Sequence, residues 1–368
     1  MTNKVTSKSE RSGAVDLFRF LAVLFVFFSH YTDTYNYIYN IVPQNLKWSP
    51  ISRYGSIALF VFFMVSGYVI TMTSMKRGIK DFLIARFSRI YPLFWVSCIV
   101  AFALPRLIHE HTYLMYSHFK VFVFNMTMMP QAFGYPMINP IFYTLLIELV
   151  FYFFIAFIIL FKLWNKVLIV ITLLLVYCVI HCCDKTISAS VLILPFMAGM
   201  LWYFIKINHK ALWKLYGLLF INYCCIIASS IPLIQNPGKL FKDSNPLNMW
   251  VVFIVITAIY ILFYLIVLKK AIINNTYLTR VLGEIAYPFY LFHIYFLFLY
   301  WYFRETIQPD ILLLSVLILI LTISWIINVW IEKPLSKLTS RILYAVTGFF
   351  SNEKSREIQI SDQEPPAL

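Results

Sequence analysis

The chain has 368 residues, 61% of them hydrophobic and only 12% charged, and a formal net charge of +14 from 30 Lys and Arg against 16 Asp and Glu. Soluble domains carry about 25% charged residues, so this composition excludes a soluble globular, disordered, collagenous, coiled-coil or small disulfide-stapled chain. Ten glycines, with neither GxGxxG nor a GK[ST] loop among them, exclude a Rossmann or Walker-type phosphate site. The excess of cations reads first as topogenic charge rather than as a footprint for nucleic acid.

A membrane-crossing helix needs about 20 mainly apolar residues. In chain order the apolar runs predict an all-α bundle of ten spans: 14–33, 53–75, 88–108, 139–162, 164–182, 187–206, 211–232, 247–268, 283–303 and 309–331. The run 119–129 is too short to cross and is expected at the interface or in the loop before the fourth span. With the N-terminus placed in the cytoplasm, 22 of the 30 Lys and Arg fall on the cytoplasmic side and 8 outside. That bias favours ten spans with both termini cytoplasmic. The first apolar run contains Arg19 and lacks a small-residue cleavage site, so it is expected to be retained rather than removed as a signal. Three regions result: a cytoplasmic segment 1–13, a membrane domain 14–341, and a polar tail 342–368 expected to be largely disordered. The six cysteines lie within or at the ends of apolar runs without C-x-x-C spacing and read as small hydrophobes.

Ionisable groups inside spans are costly, about 2.5–3.5 kcal/mol each at the bilayer centre on insertion scales, and so point to function. Helix one carries Arg19 near its cytoplasmic end and His30 eleven residues further, roughly 16 Å along the axis and almost three whole turns away. Both therefore share a face, with Asp16 and Asp33 close by on the same stripe. Helix two holds Ser66-Gly67, helix four Glu148, and helix nine His293 beyond a kink expected at Pro288. The loop after helix two ends in Arg86-x-x-Arg89, two guanidinium groups on one helical face and suited to gripping phosphates. His109, His111 and His118 in the following outer loop have no accompanying Asp or Cys pattern and read as solvated interfacial groups rather than a metal site.

These pieces occur in the order of a known family. The stretch FRFLAVLFVFFSH (18–30), FFMVSGYVI (62–70), RFSRIYP (86–92), YTLLIELVFY (143–152), AYPFYLFH (286–293) and the closing Glu332-Lys-Pro334 together resemble the acyltransferase-3 family of membrane-bound O-acyltransferases, which includes bacterial O-antigen acetylases. The resemblance spans about residues 13–335. Tyr143 and Thr144 stand where the family has Trp and Ser, and Ala286 where it has Ser. These departures bear on contacts to the acceptor and leave the ionisable set intact.

The resemblance implies transfer of an acyl group, usually acetyl from cytoplasmic acetyl-CoA, to a sugar hydroxyl of a surface glycan such as O-antigen or capsule. The expected setting is a bacterial inner membrane. The expected partners are acyl-CoA, a carbohydrate acceptor and the bilayer, without a metal or nucleic acid. Arg86, Arg89 and Arg19 are then the groups for CoA. His30 acts either as general base, its unperturbed pKa of about 6.5 being suited to the task, or as a covalent acyl carrier. Asp33 would orient His30, and Glu148 would orient or neutralise an imidazolium or bind the acceptor. Ser66 and His293 are expected to line the cavity, and Glu332 to pair with arginines on the cytoplasmic side. A transporter or flippase of a glycan or lipid-linked intermediate is the competing reading; it has no need of the Arg-x-x-Arg pair.

Overall fold

The computed structural model describes residues 12–34, 54–108, 118–181, 188–207, 212–235, 248–267, 273 and 276–361. The side chains of residues 33, 34, 56, 181, 188–191, 232–235 and 349–361 lie outside that description. Every described element is helical. In a lipid solvent a backbone N–H or C=O left without a partner costs several kcal/mol, and a helix satisfies all of its own.

Thirteen helices are named here: α1 Gly13–Ser29, α2 Ala58–Ser74, α3 Ile79–Ile108, α4 Phe119–Asn125, α5 Phe142–Leu160, α6 Val167–His181, α7 Ser188–Ile207, α8 Leu212–Gln235, α9 Met249–Val267, α10 Tyr277–Phe292, α11 Leu297–Phe303, α12 Pro309–Ile327 and α13 Lys333–Ser361. Among the described residues eight helical stretches are long and apolar enough to cross a membrane. Two shorter apolar helices, Ala58–Ser74 and Leu192–Ile207, occupy the other two ranges expected of spans. The seven-residue α4 is too short to cross. The last stretch is continuous from Pro309 to Gly348, 40 residues. At 1.5 Å per residue it is roughly twice the length of the ~30 Å hydrocarbon layer, so one half extends beyond it. There α13 runs beside the start of α3, where the Tyr344 hydroxyl donates to Asp81 Oδ1 at 3.0 Å. The backbone thus stays helical across much of 342–368; residues 362–368 lie outside the described ones.

The centre of the bundle is α1, flanked by α2 on one side and α10 on the other, with α7 behind α2. Lipid tails are as apolar as leucine, so such helices associate by close packing and hydrogen bonds rather than by hydrophobic exclusion. Close packing here depends on glycine. A Cβ added to Gly67 of α2 would lie 2.1 Å from the Phe196 carbonyl oxygen, and one on Gly199 of α7 would lie 2.1 Å from that of Met64. The two backbones touch through these bare positions, and Phe63, Phe196 and Phe151 stack around the crossing with centroids 4.7 and 4.4 Å apart. A Cβ on Gly283 of α10 would strike the Asp16 side chain at 2.5–2.6 Å, which sets the approach of α10 to α1.

Pro288 removes a backbone donor inside α10 and frees the carbonyl four residues earlier, that of Glu284. Asn328 repairs the loss: its Nδ2 donates to the Glu284 carbonyl at 3.3 Å and to Glu332 Oε2 at 2.8 Å. Asn328 opens a π-helical turn, Asn328–Glu332, between α12 and α13. A second π-helical turn, His30–Thr34, closes α1. Such turns are rare and occur often at functional positions. Both carry residues singled out from the sequence.

Candidate functional site

Arg19 is buried in the first half of α1, 9% exposed, with its guanidinium 6.0 Å from the Phe62 ring of α2. Its Nε has no hydrogen-bond partner among the described residues. Arg19 lies in the electrostatic field of Arg89, Glu148 and Asp16. Arg86 of α3 is also buried. Its Nη2 donates to Thr73 Oγ1 of α2 at 2.5 Å, and the guanidinium sits 5.6 and 5.7 Å from the rings of Phe82 and Tyr152. The Arg86 Nε, like that of Arg19, finds no acceptor among the described residues. Arg89, three residues along, is exposed, yet it is coupled to Arg19, Arg86, Tyr152, Tyr287 and Glu332. Arg89 is thus exposed while lying within electrostatic reach of these buried groups.

Glu148 of α5 belongs to the same cluster. It is 8% exposed, accepts from the Tyr152 hydroxyl at 2.7 Å one turn away, and acts on Arg19 and Arg86. Buried Glu148 and Asp16 thus stand with three guanidinium groups, and two buried guanidinium donors are left without acceptors among the described residues. Nearly all buried polar atoms in proteins find a partner; orphaned guanidinium donors fit a ligand that brings acceptor oxygens, as a phosphate does. Glu332, at the end of its π-helical turn, accepts from Asn328 and lies in the field of Arg89. Beside it Lys333 and Glu284 form an ion pair of 2.7 Å.

His30 lies at the other end of α1, and its side-chain hydrogen-bond neighbour among the described residues is an imidazole. His30 Nδ1 is 2.8 Å from His293 Nε2. The rings are 3° from parallel with centroids 5.1 Å apart. That separation is the N···N distance plus one ring radius on each side, so the two rings lie edge to edge in a shared plane, joined by a hydrogen bond and not by face contact. His293 is 0% exposed, and its other nitrogen, Nδ1, lies 2.7 Å from the Tyr290 carbonyl and 3.3 Å from that of Phe289. The residue just past the α10 terminus is therefore held by its own preceding turn. The Tyr31 hydroxyl donates to the His293 carbonyl at 2.6 Å, which satisfies an acceptor released where α10 gives way to a 3₁₀ turn. Tyr290 is fixed from α5: its hydroxyl is 2.6 Å from Thr144 Oγ1.

The structure thus gathers the predicted residues into two groups joined by aromatic rings. Arg19, Arg86, Arg89 and Glu148 form one, and His30 with His293 the other. Between them Phe62 neighbours Arg19 at 6.0 Å and stacks on Tyr290 at 5.9 Å, and Tyr290 neighbours His293 at 5.8 Å. Glu148 is brought to the arginines, not to His30. The backbone of Asp33 lies in the π-helical turn, but its side chain is outside the described residues, as are His109, His111, Cys182 and Cys183. His118 precedes α4. Ser66 is buried beside the Gly67 crossing. Among the described residues no three His, Cys, Asp or Glu side chains gather as metal ligands. Sequence reasoning missed Thr73, Tyr152, Phe62 and Tyr290. Two had a local signal, Tyr290 by its i, i+3 spacing to His293 and Tyr152 by its i, i+4 spacing to Glu148.

The class defined by fold and site is a multi-pass helical membrane protein with a buried guanidinium–carboxylate cluster and an imidazole pair inside its bundle. A family model, Acyl_transf_3, described as an acyltransferase domain, matches residues 12–330, and the chain belongs to that acyltransferase family. No curated protein and no solved structure matches the chain. The matched range takes in Arg19, His30, Arg86, Arg89, Glu148 and His293 and stops just short of Glu332.

Proposed function

We propose that this membrane acyltransferase moves an acetyl group from acetyl-CoA, held at the Arg19 end of the bundle, to a sugar hydroxyl of a surface glycan such as O-antigen or capsule. In this reading both termini and the Arg19 end are cytoplasmic, ten helices span a bacterial inner membrane, and the acceptor approaches the imidazole end. The observation that carries it is the pair of buried guanidinium Nε atoms without acceptors, Arg19 and Arg86, lying on the side of the site that the Lys and Arg bias puts in the cytoplasm. CoA is a cytoplasmic polyanion, and guanidinium groups hold phosphates with paired donors. Its slim pantetheine arm would run past Phe62 and Tyr290, the rings that connect the two groups. The thioester then lies near His30. A sugar hydroxyl is a weak nucleophile at neutral pH, so a base is required.

His30 serves in one of two ways. It takes the hydroxyl proton as the oxygen attacks the thioester, or it first carries the acetyl group on its own nitrogen. Asp33 is assigned to orienting this region, and Ser66 to the wall beside it. The test uses the purified protein in liposomes with radiolabelled acetyl-CoA and a glycan acceptor. Acceptor-dependent CoA release that disappears in His30→Ala, with membrane insertion unchanged, supports the reading. Glycan movement across the bilayer without CoA turnover would replace it with the transport reading. Label trapped on the protein without acceptor selects the covalent route.

A further inference from the structure

We infer that His293 is a positioning residue that holds His30 as the Nδ1–H tautomer, making Nε2 of His30 the reactive nitrogen. The argument is an accounting of protons. Backbone carbonyls only accept, so His293 Nδ1, at 2.7 Å from the Tyr290 carbonyl and 3.3 Å from that of Phe289, carries a proton. A neutral imidazole has one N–H, so His293 Nε2 is a bare lone pair. That lone pair lies 2.8 Å from His30 Nδ1. Two lone pairs cannot meet at this distance, so His30 Nδ1 carries the proton of that hydrogen bond and donates it. His30 in turn has one N–H, and its Nε2 is left bare.

The coplanar rings give this bond good directionality, and the support behind it is rigid. His293 is wholly buried, its carbonyl is tied by Tyr31, and Tyr290 is tied to Thr144. A second group that fixes the tautomer of a catalytic imidazole, and shares the charge it acquires, is the part a carboxylate plays in Ser-His-Asp hydrolases. Here a second imidazole and two carbonyls stand in its place. This deepens the proposed function and rests on it for the chemistry. In direct transfer the acceptor O–H proton passes to His30 Nε2 while the oxygen–carbon bond forms. The C–S bond breaks, its electron pair leaves on sulfur, and the thiolate recovers the proton from Nε2. In the covalent route the same Nε2 lone pair forms the N–C bond as the C–S bond breaks with its electron pair leaving on the CoA thiolate; the acceptor oxygen then forms the O–C bond, the N–C pair returns to Nε2, and the acceptor proton passes to the thiolate.

The tautomer is read directly by ¹⁵N NMR of histidine-labelled full-length protein in nanodiscs, with His30 assigned by its disappearance in His30→Gln. The expected wild-type pattern is a protonated Nδ1 and a bare Nε2 on His30; a protonated Nε2 with bare Nδ1 would overturn the inference whatever the activity. In His293→Leu the acceptor is gone, and His30 is expected to shift toward the Nε2–H form with kcat down about tenfold or more and KM for the acyl donor little changed. His293→Gln puts an amide oxygen where Nε2 was and is expected to restore the Nδ1–H form and much of kcat. Equal loss in both variants with the His30 tautomer unmoved would leave His293 a packing residue. An inactive wild type with the expected tautomer would count against the acyltransferase chemistry proposed for His30, not against the positioning geometry.

Discussion

Gly67 and Gly199 face each other across the contact of α2 with α7, each within reach of the other helix's backbone. The three atoms nearest a substituted Cβ at Gly67 belong to the Phe196 backbone, and those at Gly199 to the backbone of Met64–Tyr68. No side-chain rotation relieves such a clash. Gly67→Ala and Gly199→Ala are each expected to push the helices apart and to cost about 1–3 kcal/mol, the usual range for overpacking. The check is thermal unfolding of the detergent-purified protein, with Gly217→Ala as control because a Cβ there meets nothing within 4 Å. Equal melting temperatures in all three would contradict the close crossing.

Gly283 presents a different case, since the obstacle is a side chain. An added Cβ meets Asp16 at Oδ1, Cβ and Cγ. The oxygen can swing aside, but the Cβ moves only with α1. Gly283→Ala is therefore expected to shift α1 against α10, the same two helices that carry His30 and lead into His293. Acyl transfer should fall further than the melting temperature predicts. A variant with normal turnover and normal stability would show that the α1–α10 register tolerates the shift.

Arg86 combines a hydrogen bond to Thr73 with two aromatic faces. A charged hydrogen bond contributes about 1.5–3 kcal/mol, or roughly 10- to 100-fold in affinity. Arg86→Ala is expected to weaken acyl-CoA binding by about that factor, and Arg86→Lys to recover little, because an ammonium lacks the planar fork. Thr73→Val, which removes only the neutral partner, should be milder. Calorimetric titration with CoA gives the comparison; unaltered affinity in Arg86→Ala would remove Arg86 from the donor site.

Glu148 is a buried carboxylate that acts on both Arg19 and Arg86. Glu148→Gln keeps an acceptor for the Tyr152 hydroxyl but removes the carboxylate charge that acts on both buried arginines. Breaking a buried pair in this way commonly costs about 3–5 kcal/mol. The expected result is a lower melting temperature that added CoA raises more than it raises the wild type, because the ligand's phosphates replace the missing charge. If CoA stabilises both proteins equally, Glu148 and the CoA phosphates do not share the cluster.

The membrane class, the ten apolar stretches, the family motifs and the ionisable residues were all legible in the amino-acid order. Hydropathy is a local property, and a charge inside an apolar run stands out because lipid makes it expensive. The placing of Arg19 and His30 on one face also followed from helical period alone. Pairings between helices had no such signal. His30 and His293 are 263 positions apart in the chain, and nothing local distinguishes an imidazole that meets another imidazole from one that meets a carboxylate. For the same reason Glu148 read equally well as a partner for either end of α1.

Thr144 shows how one departure from the family pattern gains meaning only in three dimensions. As a residue in place of Ser it suggested altered acceptor contacts; in the fold it anchors Tyr290, which holds His293. Asn328 drew no notice in sequence, yet it restores the bond that Pro288 removes 40 residues earlier. Composition and period alone determined that this chain is a membrane bundle with buried cations and imidazoles, since both are properties of one segment and its solvent. Which buried group touches which was decided by the crossing of α1 with α2 and α10. Hydrogen bonds form over about 3 Å, a distance that only packed helices establish between residues hundreds of positions apart.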